Sequence, residues 1–323
     1  MQEAMKKRAV ELLESGQVNR VLGWTAGEFC YDVTPAVFNR VEDINNGLIY
    51  TPFCGANLSK YLVKETLKDG KILVFLKPCD TYSFNQLLSE HRVDREKVYA
   101  IGVPCDGMAD VERLRDNKIT GIKSIAFNGD LVTVETVYGT REANKADILA
   151  ARCAECKSHK HVAYDELLGD EGVVLDSHRF DMVEKLESMS ADERFAFWRG
   201  ELSRCIRCNA CRNVCPACTC EKCVFDNAES GVENKGAADS FEENMFHIIR
   251  AFHVAGRCTD CGECSRVCPE HIPLHLLNRK FIKDINELYG DYQAGETVNE
   301  RGPLVSYTTS DANPSIVRER GNC

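Results

Sequence analysis

The chain has 323 residues, a formal net charge of -10 and 44% hydrophobic residues. That length suggests two domains, and that composition supports a sizeable core that needs no disulfides to hold it. The acidic balance argues against nucleic acid as a partner, because phosphates repel a negative surface.

The N-terminus, Met1 to Lys7 followed by Glu11 and Glu14, has no apolar core of a signal peptide. No stretch approaches the roughly 18 apolar residues of a membrane span, so the expectation is a cytoplasmic protein with no membrane span. Eighteen cysteines stand out, most of them from Cys153 onward. In a reducing compartment, cysteines this dense at short spacing point to metal rather than disulfides.

In chain order, residues 1–17 read as a surface helix. Short β-prone runs follow at Val21-Leu22, Leu48-Ile49-Tyr50, Ile72–Leu76 and Val98–Val103, the last two compact enough for buried strands. Helix-like segments, Asn57–Lys68 and Ser83–His91, alternate with them. This predicts an α/β N-terminal domain with a mixed sheet over residues 1–200. Ile122–Val137 reads as a hairpin turned at Asn128-Gly129. Residues 157–200 read as helical and charged.

A ferredoxin-like α+β dicluster domain is expected at 201–284, with an insertion at 226–257 that starts polar and Gly-rich (Gly231, Gly236). From Ser240 the insertion reads as a helix, with Phe241, Met245, Ile248, Ile249 and Phe252 at helical spacing. The insertion is expected to loop outside the cysteine motifs. Residues 285–323 read as a tail, exposed from Gly295 and either disordered or laid on a partner.

Two cysteine runs carry the chemistry. The first is Cys205, Cys208, Cys211, Cys215-Pro216, and the second is Cys258, Cys261, Cys264, Cys268-Pro269. Both obey C-x2-C-x2-C-x3-C-P, the bacterial ferredoxin pattern for 4Fe-4S clusters. Three thiolates spaced by two residues can wrap one face of a cube on a tight turn. In two-cluster ferredoxins the fourth reaches the other cluster. One cluster is therefore assigned to Cys205, Cys208, Cys211 and Cys268, and the other to Cys258, Cys261, Cys264 and Cys215. The competing reading is structural zinc, which uses separated C-x2-C pairs rather than four cysteines in one run closed by proline.

Arg204, Arg207, Arg212, Arg257 and Arg266 surround the runs, either to offset cluster charge or as a solvated rim. Cys218, Cys220 and Cys223 are further soft ligands that could bind another metal, with Cys54 as a candidate fourth, or pack as small buried hydrophobes.

In the N-terminal half, Lys77-Pro78-Cys79-Asp80 and Val103-Pro104-Cys105-Asp106-Gly107 each follow a predicted buried strand. Open α/β sheets place ligands at such carboxyl ends. With the pair Cys153 and Cys156, these cysteines could hold a third 4Fe-4S cluster; zinc and unrelated core cysteines are the alternatives. His159 and His161 lie near that pair and read as solvated helix residues. No dinucleotide fingerprint, P-loop or H-E-x-x-H motif is present.

These strand-end segments, with Arg152-Cys153-Ala154-Glu155-Cys156, Tyr164–Gly169 and the Cys211–Cys223 segment, give the chain a familiar look. It resembles the coenzyme F-420 hydrogenase and dehydrogenase β-subunit family, which includes formate dehydrogenase β subunits and heterodisulfide-reductase-associated iron–sulfur subunits. The resemblance covers roughly residues 70–275. It implies an iron–sulfur electron-transfer subunit of a multi-subunit anaerobic oxidoreductase. Such a subunit would relay electrons between a flavin-dependent dehydrogenase, hydrogenase or formate dehydrogenase module and a heterodisulfide-reductase-like partner. The alternative it carries is a catalytic β subunit that binds FAD and reacts with a soluble two-electron carrier such as coenzyme F-420. A cluster-bearing sensor or scaffold ranks below both, because it needs no relay of several clusters.

Overall fold

A computed structural model describes residues 1–227, 240–299 and 302–306. Helix α1 (Gln2–Glu14) buries Met5, Ala9 and Leu12, one face of a 3.6-residue repeat. Strands β1 (Arg20–Ala26) and β2 (Val33–Phe38) pair antiparallel. Pro35 hides β2 from a sequence reading. It is tolerated because β2 lies at the sheet edge, where a missing N–H costs no ladder bond.

Helices α2 (Val41–Gly47) and α3 (Ser59–Glu65) follow. Between them, the expected strand at Leu48–Tyr50 is reduced to a single bridge from Ile49 to Trp24. Strand β3 (Ile72–Leu76) is buried throughout and runs straight into α4 (Pro78–Ser89). That helix starts at Pro78 rather than Ser83, because proline at the first helical position is pre-set for the turn. Strand β4 (Val98–Gly102) pairs parallel to β3.

Helix α5 (Val111–Asp116) leads into an antiparallel meander of β5 (Ile122–Asn128), β6 (Leu131–Thr136) and β7 (Gly139–Asn144). Gly129 takes the left-handed conformation the β5–β6 turn requires (φ +66). Helices α6 (Lys145–Ile148) and α7 (Ala151–Ala154) bring the chain back to the main sheet. Strand β8 (Glu166–Leu167) completes that sheet in the order β2-β1-β3-β4-β8, parallel except for the β1–β2 pair. The domain is thus α/β with a mixed sheet.

Residues 157–180 are not the helix expected. A Cβ at Gly172 would stand 2.1 Å from the His159 carbonyl oxygen, so that chain crossing excludes helix there. Helices resume only at α8 (Asp181–Ser188) and α9 (Ala191–Leu202), the latter opened by a Ser190–Glu193 capping box. The C-terminal region hangs its cysteine loops on α10 (Ala210–Val214), α11 (Ser240–Val254), α12 (Glu263–Arg266) and α13 (Leu274–Tyr289). Among the described residues beyond Leu167, neither sheet gains a strand.

Residues 285–289, the start of the expected tail, are the end of α13. Residues 294–299 then pack along α4. Ala294 is buried, Asn85 donates to the Glu296 carbonyl at 3.3 Å, and the Asn299 N–H reaches Ser89 Oγ at 3.0 Å. The polar start of the insertion (228–239) and the rest of the tail (307–323) lie outside the described residues, as does the Phe241 side chain. No helix among the described residues is long and apolar enough to cross a membrane.

Candidate metal centres

Strands β3 and β4 each deliver a cysteine from their carboxyl ends. Cys79 sits in the first turn of α4, two residues past Lys77. Cys105 follows Val103-Pro104, and the Tyr50 hydroxyl fixes that loop by donating to the Pro104 carbonyl at 2.7 Å. Cys153 on α7 and Cys156 just beyond it face them. All four line one cavity of about 40 Å³, closed on its far side by Asp260 and Cys261 of the second cysteine run.

The walls of that cavity are charged and buried. Lys77 Nζ donates to the Ala56 carbonyl at 2.8 Å and to Asp80 Oδ2 at 2.9 Å, and lies 4.4 Å over the Trp24 ring. Burial alone would depress this ammonium, but Asp80 and the Cys79 and Cys105 sulfurs hold it above its ordinary value. Burial pushes the Cys79 thiol well up, and burial with Cys153 pushes Cys105 up to about 12. Lys157 donates to the Thr259 carbonyl at 2.8 Å, and burial lowers its ammonium to about 8. The Met108 N–H donates to Cys153 Sγ at 3.4 Å.

The two runs share one backbone form. Arg207 and Asn209 in the first run have φ of 56° and 62°; Asp260 and Gly262 in the second have 57° and 67°. Left-handed residues at matching places turn successive N–H groups inward. The Arg207 N–H donates to Cys205 Sγ at 3.4 Å, that of Asp260 to Cys258, and that of Glu263 to Cys261. Gly262 has a second reason to be glycine: a Cβ there would stand 2.6 Å from Arg152 Cβ.

Helices α10 and α12 then carry each chain from its third cysteine toward its fourth. Cys205, Cys208, Cys211 and Cys268 line one cavity of about 20 Å³. Cys215, Cys258, Cys261 and Cys264 line another of about 20 Å³. Each run's fourth cysteine thus lies with the first three of the other. Asp260 and Cys261 belong to the walls of both this second cavity and the strand-end cavity.

Thiols ringed by inward N–H groups and buried cations suit anionic iron–sulfur clusters. Among the described residues no three His, Cys, Asp or Glu side chains are arranged to hold a single metal ion.

Two buried ion-pair groups clamp the halves together. Arg152, beside Cys153, pairs with Glu263 and donates to the carbonyls of Cys261 at 3.0 Å and Gly55 at 2.8 Å. Glu263, fully buried, also accepts from Arg266 Nε at 2.7 Å and from the Asn57 N–H at 3.2 Å. Burial would raise its carboxyl, but Arg266 and Arg152 hold it down at about 2. On the other flank Arg279 pairs with Glu155 and donates to Asp260 at 2.8 Å, while Arg179 reaches Asp260 at 3.3 Å.

Of the arginines expected around the runs, Arg266 enters this clamp. Arg257 pairs with Glu90, Arg204 with Glu201 and Arg212 with Asp226, while Arg207 lies over the Phe246 ring.

Cys218 hydrogen-bonds to Cys215 and so lowers the Cys215 thiol, Cys223 meets Arg212, and Cys220 is exposed. Cys54 is buried in the main core, accepting from the Thr51 N–H at 3.2 Å. His159 lines the strand-end cavity. His161 is buried rather than solvated, its Nε2 3.0 Å from the Val103 carbonyl.

The insertion does not loop clear of the motifs. Its helix α11 packs on both cysteine runs. His247 Nε2 lies 3.2 Å from Cys205 Sγ, and Arg250 donates to the Cys211 carbonyl at 3.0 Å. Neither residue stands out in the sequence, because the helix's apolar stripe suggests the opposite buried face.

The fold and these sites define an α/β protein joined to an iron–sulfur domain, of the oxidoreductase class. A family model for a 4Fe-4S dicluster domain matches residues 201–272. The F-420-dependent formate dehydrogenase subunit beta of Methanocaldococcus jannaschii is 24% identical to the chain, over 86% of this chain and 88% of the relative. The F-420-dependent formate dehydrogenase 1 subunit beta of Methanococcus maripaludis is also 24% identical, over 76% and 78%. Over most of its length the chain is thus similar to F-420-dependent formate dehydrogenase β subunits, and it carries a C-terminal 4Fe-4S dicluster domain. A chain from the F-420-reducing NiFe hydrogenase complex of Methanosarcina barkeri superposes with a TM-score of 0.42 at 13% identity, over 62% of this chain and 86% of that one.

Proposed function

We propose that this chain is the electron-transfer subunit of a multi-subunit oxidoreductase and holds three 4Fe-4S clusters in series. The electrons would pass between a flavin-dependent dehydrogenase, hydrogenase or formate dehydrogenase module and a heterodisulfide-reductase-like partner. The observation that carries this reading is the shared wall: Asp260 and Cys261 line both the strand-end cavity and the neighbouring dicluster cavity.

Cys79, Cys105, Cys153 and Cys156 would hold the first cluster. Cys215, Cys258, Cys261 and Cys264 would hold the second, and Cys205, Cys208, Cys211 and Cys268 the third. Each cluster, when bound, supplies reversible one-electron transfer. The chain's own residues supply the rest. Lys77, Arg152 and Arg250 offset negative charge in a low-dielectric seam, inward N–H groups stabilise thiolate, and apolar packing from Leu202, Phe246, Ile272 and Leu274 shields the dicluster sites from water.

Iron and acid-labile sulfide analysis after anaerobic reconstitution tests the loading. About twelve irons per chain are expected, eight from the dicluster runs and four from the strand-end site. Fewer than about six, with stoichiometric zinc instead, would remove the ferredoxin assignment.

The crossed pairing gives a second expectation. Cys215→Ser should perturb the cluster built on Cys258, Cys261 and Cys264, and Cys268→Ser the one built on Cys205, Cys208 and Cys211. Resolved electron paramagnetic resonance spectra decide it: serine effects confined to each variant's own run would show uncrossed ligation.

The relatives' dependence on coenzyme F-420 supports a second reading, in which this chain binds FAD and reacts with that carrier itself. A visible spectrum of the anaerobically purified protein separates the two, because flavin absorbance beside the cluster bands belongs only to the second.

A further inference from the structure

Helix α11 buries Phe246, Ala251 and Val254 in the ordinary way, and with them two polar side chains. Its apolar residues Met245 and Ile248 are each 40% exposed and Phe252 is 61% exposed, while His247 is 2% and Arg250 4% exposed. The hydrophobic effect accounts for the burial of Phe246, Ala251 and Val254 but not for that of the imidazole and the guanidinium. Something on the buried side favours an imidazole and a guanidinium over the available methionine and isoleucine.

What lies there is the dicluster cysteines. His247 Nε2 is 3.2 Å from Cys205 Sγ, and His247 lines the cavity of Cys205, Cys208, Cys211 and Cys268. Arg250, one turn on, donates to the Cys211 carbonyl, and its charge faces Cys215 and Cys264 of the other cavity as well as Cys211. Arg250 Nε is buried and has no hydrogen-bond partner among the described residues. A guanidinium nitrogen left that way costs free energy unless an anionic group stands beside it.

We infer that α11 is a tuning element: His247 donates its Nε2–H to the Cys205 thiolate, and Arg250 places one positive charge against both dicluster sites. The inference rests on the proposed loading of those sites. A thiolate ligand has no proton to give, so the proton in this contact sits on Nε2. A hydrogen bond to a ligand sulfur and a nearby cation both favour the reduced, more negative cluster, and so raise its potential. His247 touches one site and Arg250 faces both. The imidazole therefore sets the difference in potential between the two sites, and the guanidinium sets their common level. This gives the insertion a reason to sit between the two runs: a helix there reaches both sites from one face.

The experiment is a redox titration of the reconstituted full-length protein, followed by electron paramagnetic resonance, with iron content measured alongside. His247→Leu should lower the midpoint of the signal from the Cys205 site and leave the Cys258-site signal in place. His247→Gln, which keeps an N–H donor, should recover much of that shift, and Arg250→Met should lower both signals. Unmoved potentials in a fully loaded His247→Leu protein would overturn the inference, as would equal shifts of both signals.

Pulsed resonance on wild-type protein carrying 15N-histidine gives a readout independent of variant folding. Nitrogen coupling is expected on the Cys205-site signal and should vanish in His247→Gln; its absence in wild type would also overturn the inference. Wild-type protein without iron would instead strike the loading itself.

Discussion

Glu263→Ala is expected to destabilise the chain by about 3–5 kcal/mol, the usual cost of removing one partner from a buried ion pair. Glu263 is fully buried and joins both halves: it pairs with Arg152 of α7 and with Arg266 on its own helix, and accepts from the Asn57 backbone. Alanine leaves the Arg152 guanidinium in the seam without its carboxylate. The loss should appear as a lower urea midpoint at unchanged slope. The double variant Arg152→Met with Glu263→Leu should recover part of it, because neither charge is then stranded.

The pH dependence has a definite sign. The folded carboxyl is held at about 2, below its unfolded value, so the stabilisation is fully present above roughly pH 4.5 and is lost as pH falls toward 2. A loss under about 1 kcal/mol in Glu263→Ala would show that the clamp contributes little.

Strands β3 and β4 are legible in the sequence because each is a short, uninterrupted apolar run, and each is followed three residues later by a cysteine. Their neighbours are harder to read. β2 is interrupted by Pro35, β7 reads Gly-Thr-Arg-Glu-Ala-Asn with no apolar alternation, and the Leu48–Tyr50 run is apolar because it packs on Trp24, not because it joins the sheet. Local periodicity cannot separate those cases, since edge position and packing partner are set by distant residues.

The cysteine spacing identifies the dicluster runs, because spacing is a local property. The charged shell around them is not local. Arg152 and Glu263 are 111 residues apart in sequence and meet only when the second run docks against α7. His247 and Arg250 are hidden for a different reason. A helix reading assigns burial to the Met245, Ile248 and Phe252 stripe, and here that stripe is exposed while His247 and Arg250 are buried beside Phe246, Ala251 and Val254.

Cys105→Ala is expected to abolish electron transfer through the chain while leaving the dicluster sites loaded. The substitution removes one of four thiols from the strand-end cavity, together with the hydrogen bond that thiol accepts from the Gly107 backbone. Pro104 keeps its hydrogen bond from Tyr50, and Gly107 keeps its left-handed turn at φ +100, where a Cβ would meet Leu149 at 2.6 Å. The loop should therefore hold its course with three cysteines around a site built for four. Iron content should fall by about four atoms per chain, and the two resonance signals of the dicluster runs should persist. Transfer is measured across the intact complex, from the substrate of its dehydrogenase module to its terminal acceptor, and should drop to background. The cavity shares Asp260 and Cys261 with the next site, so its loss opens a gap at one end of the series rather than a defect within the dicluster domain. Full transfer in a variant that has lost those four irons would make the strand-end site structural and leave the dicluster domain as the whole of the wire.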